Sequence, residues 1–156
     1  MPRDRVLLAA AILLAVVAIT LHFESGAGAP AVVADPGRTP GVLNPDVTQA
    51  TIGSTICVTG WTRSVRPPTE YTNALKRRQM RLYGETGPAS DYQEDHLISL
   101  ELGGHPTDPR NLWPEPYPRA SQVDTIENDL NRRVCDGSLT LADAQVQESA
   151  LKHGRG

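Results

Sequence analysis

The chain is short of aromatic residues, at 4% of 156 positions with a single Phe. A core with so little aromatic bulk is small, and 13 Gly and 13 Pro place much of the chain in turns and loops. Cysteine is scarcer still, with only Cys57 and Cys135. Two thiols cannot build an all-cysteine zinc site, and they exclude a scaffold held by several disulfides. There is no basic excess either: 15 Lys+Arg face 18 Asp+Glu, a formal charge of −3. Composition therefore lacks the electrostatic footprint usual in nucleic-acid binders. What remains is an ordinary globular balance, 39% hydrophobic and 21% charged, at a length suited to one domain plus a targeting segment. Function has to be read from local motifs.

Residues 6–21 (VLLAAAILLAVVAITL) form an uncharged apolar run, preceded by Arg3 and Arg5 and followed by small residues through Ala29. This is the order of a secretory signal, expected over residues 1–27 and cleaved after Ala27 or Ala34. The run falls just short of a full membrane span, so retention as a membrane anchor through residues 6–21 is the other reading. Either one exports the rest of the chain, to be secreted or held on the outer face of the cytoplasmic membrane. In that oxidising compartment a Cys57–Cys135 disulfide is the default, and closing so long a loop contributes roughly 4 kcal/mol in the chain-entropy model.

Residues 28–45 are rich in Ala, Gly and Pro without helical or strand period and read as a flexible tether, leaving a folded domain over 46–156. Val47 to Trp61 carries β-branched clusters broken by Gly53 and Gly60, the pattern of short strands. A helix is expected from Thr69 or Thr72 to a Gly84 cap. Its Lys76, Arg77, Arg78 and Arg81 form the only basic cluster, either a solvated face or a set of phosphate contacts. A second helix spans about Ser121 to Val134, with Val123, Ile126, Leu130 and Val134 on one face. A third runs from Leu141 to about Leu151 behind a Thr140 cap with Asp143 in the capping position.

The chemistry-bearing stretch runs from Asp91 to Glu115 (DYQEDHLISLELGGHPTDPRNLWPE). Leu97 to Leu102 reads as extended, Gly103-Gly104 with Pro106 and Pro109 reverses the chain, and Asn111 returns beside His96. With the helix at 121–134 packed across it, this makes a ββα unit. Strict alternation on a strand would part Asp95 from His96, so joint action of the two requires the strand to begin after them. His105 reads as facing water, Trp113 as core, and His22 and His153 as tail residues.

Asp95-His96-Leu97-Ile98 with Gly103-Gly104 and Asn111-Leu112 resembles the HNH (His-Me finger) endonuclease motif over about residues 91–135. Across 51–146 the chain also resembles small bacterial proteins carrying DHLIPLELGG…NLWPEP. The resemblance implies an α+β fold, a small ββα-metal core with additional helices and one disulfide. It also implies metal-dependent hydrolysis of nucleic acid, with DNA the expected partner over RNA and modest affinity for it. His96 would be the general base, with an unperturbed pKa near 6.5. Asp95 would hold one divalent ion, Mg2+ or else Mn2+, with Asn111 completing the site or orienting His96. The helix position of the motif is open among Asp124, Glu127, Asn128 and Asn131, and Glu127 is preferred because it stands beside the apolar stripe. Ser99 departs from the family's Pro, and the zinc-knuckle cysteine pairs are missing. The competing expectation is a non-catalytic, exported cell-envelope binding module on the same fold.

Overall fold

The computed structural model describes residues 33–154, a mixed helix and sheet fold. Four helices, α1 (Trp61–Val65), α2 (Thr69–Tyr83), α3 (Tyr117–Cys135) and α4 (Leu141–Lys152), accompany two strands, β1 (Tyr92–His96) and β2 (Leu112–Pro116). The strands pair antiparallel, with Asp95 opposite Trp113 and His96 opposite Leu112. Helix α2 packs on this hairpin, and α3 packs on both strands and on α4.

Each long helix has a local cause. Pro67-Pro68 stops the preceding segment. Gly84 ends α2 at φ 74°, which frees the Glu85 N–H to reach the Met80 carbonyl at 2.8 Å, as a left-handed C-terminal glycine does. Pro118 sits in the first turn of α3, where its missing N–H is harmless. Thr140 caps α4 by accepting the Asp143 N–H at 3.1 Å, as its sequence requires. The buried face of α3 is Ala120, Val123, Glu127, Leu130 and Val134. Ile126, expected on that face, is instead exposed, and Glu127 takes its place.

The main core gathers Val47, Ile56, Ile98, Leu102, Leu130, Val134, Leu141 and Ala144. A second cluster holds Ala34, Leu97 and Trp113, with Tyr83 against it. Trp113 is fully buried as core, its ring 6.1 Å from that of Tyr83. Cys57 and Cys135 form the expected disulfide, Cα atoms 5.6 Å apart, tying the segment before α1 to the end of α3.

Three expectations are corrected. Residues 47–61 form turns, a 3-10 turn at Ile52–Ser54 and the start of α1, with no strand; Gly53 and Gly60 break the β-branched runs before they can pair. The first strand precedes Leu97, and the stretch that follows it is a bend and a 3-10 turn at Leu100–Leu102. Residues 33–45 are not a free tether: Ala34 and Thr39 are each 1% exposed, the Ala34 N–H donates to the Lys152 carbonyl at 3.0 Å, and Leu43 bridges Gly104. Their small side chains let the backbone lie flat on the domain. Among the described residues no helix is long and apolar enough to cross a membrane; the run 6–21 and His22 lie outside them.

Candidate functional site

The reversal between the strands is held by Asn111. Its side-chain oxygen accepts the Ile98 N–H at 3.0 Å and its amide donates to the carbonyls of Ile98 and His105, each at 3.0 Å. The Leu97 N–H continues the ladder to the Asn111 carbonyl at 2.7 Å. Gly104 is needed beside it, because a Cβ there would lie 1.7 Å from the Ile98 carbonyl oxygen. With its polar atoms committed to backbone, the fully buried Asn111 shapes the loop and contributes nothing to a metal-site pair.

That loop fixes the imidazole of His96. Nε2 sits 3.0 Å from the Pro106 carbonyl, so Nε2 carries the hydrogen and Nδ1 is the basic nitrogen. Burial pushes the ring below its usual pKa, against the pull of the Pro106 carbonyl and the Asp95 charge. His96 and Asp95, the last residues of β1, both line one cavity of about 440 Å3, together with Arg66, Glu101, Asp124 and Glu127. The strand ends at the pair instead of beginning after it. As the chain leaves the pleat, both neighbours reach the same cavity.

Beneath the cavity lies a charge cluster that sequence reasoning missed. Lys152, the last residue of α4, is fully buried. Its Nζ donates to Asp95 Oδ2 at 2.7 Å and to the His96 carbonyl at 2.5 Å. Glu127 Oε1 lies 2.5 Å away and Glu148 Oε1 3.5 Å, with Glu127 Oε1 off the line of a hydrogen bond. The other Asp95 oxygen accepts from Gln93 Nε2 at 3.2 Å. Burial alone would raise the Asp95 carboxyl, but the ammonium holds it at about 2. Burial instead wins for Glu127, which is raised against the opposing ammonium. It wins also for Glu148, whose two oxygens accept the Ser99 N–H at 2.9 and 3.0 Å. At the cavity wall, burial and then the charges of Glu127 and Asp124 push Glu101 up to about 7.

Of the expected site residues, Asp95, His96 and Glu127 are brought together and Asn111 is not. Asp124 and Asn128 also line the cavity, whereas the Asn131 amide donates to the Glu101 carbonyl at 2.7 Å. The four basic residues of α2 do not line it. Lys76 Nζ donates to the Ala89 and Tyr92 carbonyls at 2.8 and 2.7 Å, a structural role, while Arg77, Arg78 and Arg81 are exposed. His105 Nδ1 accepts the Asp108 N–H at 3.0 Å. His153 is not a tail residue; it is buried with Nε2 3.0 Å from the Thr39 carbonyl.

The donor set expected for a divalent ion, Asp95, Asn111 and Glu127, does not fit one. The asparagine is spent on backbone, and the two carboxylates already share an ammonium. Among the described residues no group of three His, Cys, Asp or Glu side chains is arranged to hold a metal. Compared with protein-family models, curated proteins and solved structures, the chain matches none.

Proposed function

We propose that the cavity is a hydrolytic site for nucleic-acid phosphodiesters, with His96 as general base. The observation that carries this reading is the opposed displacement of two titratable groups on one cavity. His96 is pushed down, so its free nitrogen accepts a proton at neutral pH, while Glu101 is raised to about 7 and still carries one. Groups driven apart in this way serve as base and acid. A water attacks phosphorus as its proton passes to His96. The P–O bond to the leaving oxygen breaks as Glu101 supplies that oxygen's proton. Arg66 is the cation on the cavity available to the non-bridging oxygens. The substrate class rests on the HNH-like Asp95-His96, Gly103-Gly104 and Asn111 pattern. Arg77, Arg78 and Arg81 offer backbone contacts outside the cavity, so affinity is modest and falls with salt. The apolar run 6–21 supports an exported location.

The test is strand scission of plasmid DNA and of RNA by the full-length chain, in Mg2+, Mn2+ and EDTA. His96→Ala lowers the rate by about 10²–10⁴-fold. The rate rises as His96 deprotonates below its ordinary value and falls as pH passes through about 7, where Glu101 loses its proton. Intact substrate under every condition contradicts the reading. It favours instead a non-catalytic cell-envelope binding module, the reading supported by the acidic cavity wall and by the position of the α2 cations away from it.

A further inference from the structure

We propose that Lys152 is an internal cation filling a set of oxygens that would otherwise suit a divalent ion, and that its removal opens a divalent-cation site. This inference concerns cation binding and does not rest on the hydrolytic reading. Three oxygens from two elements converge on a single point. Asp95 Oδ2 and the His96 carbonyl come from the end of β1 and Glu127 Oε1 from the middle of α3, at 2.7, 2.5 and 2.5 Å from Nζ. Two anionic oxygens and a carbonyl are the donors that Mg2+, Mn2+ and Ca2+ select. The point is already known to accept a cation, because the protein places one there.

The ammonium is well suited to keep others out. Lys152 is 0% exposed, so a metal entering from the cavity meets a fixed positive charge that cannot swing into solvent without uncovering the core. Helix α4 holds it in place: Thr140 caps the first turn, and Glu148, one turn before Lys152, is anchored on the Ser99 N–H. At the helix end, the Lys152 carbonyl accepts the Ala34 N–H. The carboxylates are consequently neutralised from inside, without a ligand from solution. Taking the ammonium away leaves Asp95 and Glu127 facing one another across a gap beside an open cavity, the condition in which a divalent ion gains most.

The experiment compares the full-length wild type with Lys152→Ala and with Lys152→Ala/Glu148→Gln, the second variant removing a further titratable carboxyl beside the vacated point. Mn2+ uptake is read from the free-ion electron paramagnetic resonance signal, and thermal midpoints are taken in EDTA and in Mn2+. The wild type is expected to take up no Mn2+ at this point and to melt at the same temperature in both solutions. The variants are expected to take up one Mn2+ each and to gain about 10 °C at metal a hundredfold above Kd. Adding Asp95→Asn is expected to cancel both effects. Wild-type uptake abolished by Asp95→Asn overturns the proposal, as does a folded Lys152→Ala protein that takes up none. If neither variant folds even in Mn2+, the ion has failed to replace the ammonium and the proposal is overturned; Asp95-dependent uptake by the wild type refutes it as well. Scission assays in EDTA separate this outcome from the fate of the hydrolytic reading.

Discussion

Glu94 and Asp95 are neighbours on β1, yet their carboxyls are displaced in opposite directions. Alternation along the strand sends them to opposite sides of the hairpin. Asp95 meets the Lys152 ammonium and stays ionised down to about 2. Glu94 looks toward α2, where neither of its oxygens has a hydrogen-bond partner, and burial pushes it up to about 8. Lys76 lies on that side but spends its donors on the Ala89 and Tyr92 carbonyls. Both acids are removed from water, so burial is not what separates them. The difference is an ammonium 2.7 Å from Asp95, whereas the cations acting on Glu94, Lys76 and Arg78, offset its burial only in part.

Removing that cation should have the largest effect. Lys152→Met leaves the Asp95 carboxylate buried without its ammonium and should cost about 3–5 kcal/mol in urea unfolding at pH 7. Asn111→Ala, which orphans the Ile98 and His105 backbone groups at the shared end of the hairpin, should cost about 2–3 kcal/mol by the same measurement. It should also weaken both sides equally.

The two carboxyls should then part with pH. Asp95 is depressed in the folded state, so its contribution of about 2 kcal/mol is present above the unfolded value near 3.9 and is lost as pH falls toward 2. Acid unfolding of Asp95→Asn should lack that component. Glu94 is raised, so its contribution is complete below the unfolded value near 4.3 and is lost as pH rises through 8. Glu94→Gln should therefore gain on the order of 1–2 kcal/mol over the wild type at pH 8 and little at pH 4. Equal pH profiles for the two variants would erase the distinction between the sides.

Much of this architecture can be read directly from the residues. Thr140, Gly84 and the Val123, Leu130, Val134 spacing mark three helices, because caps and period are local signals. The disulfide follows from there being two cysteines behind a signal-like apolar run. The hairpin's closed end follows from Gly103-Gly104 and Asn111. Leu97 to Leu102 reads as extended because it is apolar for core burial, which a bend and a 3-10 turn achieve as well as a strand does. Residues 33–45 look unstructured because Ala, Gly and Pro carry no period, although their smallness is what lets them lie against the domain. Lys152 was invisible for a different reason. A lysine at a helix end is ordinarily solvated, and only its i,i+4 spacing from Glu148 hinted at a pair. The convergence of Asp95, Glu127 and Lys152 depends on three elements meeting in space, which no local pattern encodes.

The most direct test is a single titration of the wild-type protein, following the side-chain carboxyl carbons of Glu94 and Asp95 by 13C NMR. Asp95 is expected to titrate at about 2 and Glu94 at about 8. Two ordinary transitions near pH 4 would show that no ammonium sits on Asp95 and that the two sides of the hairpin are alike.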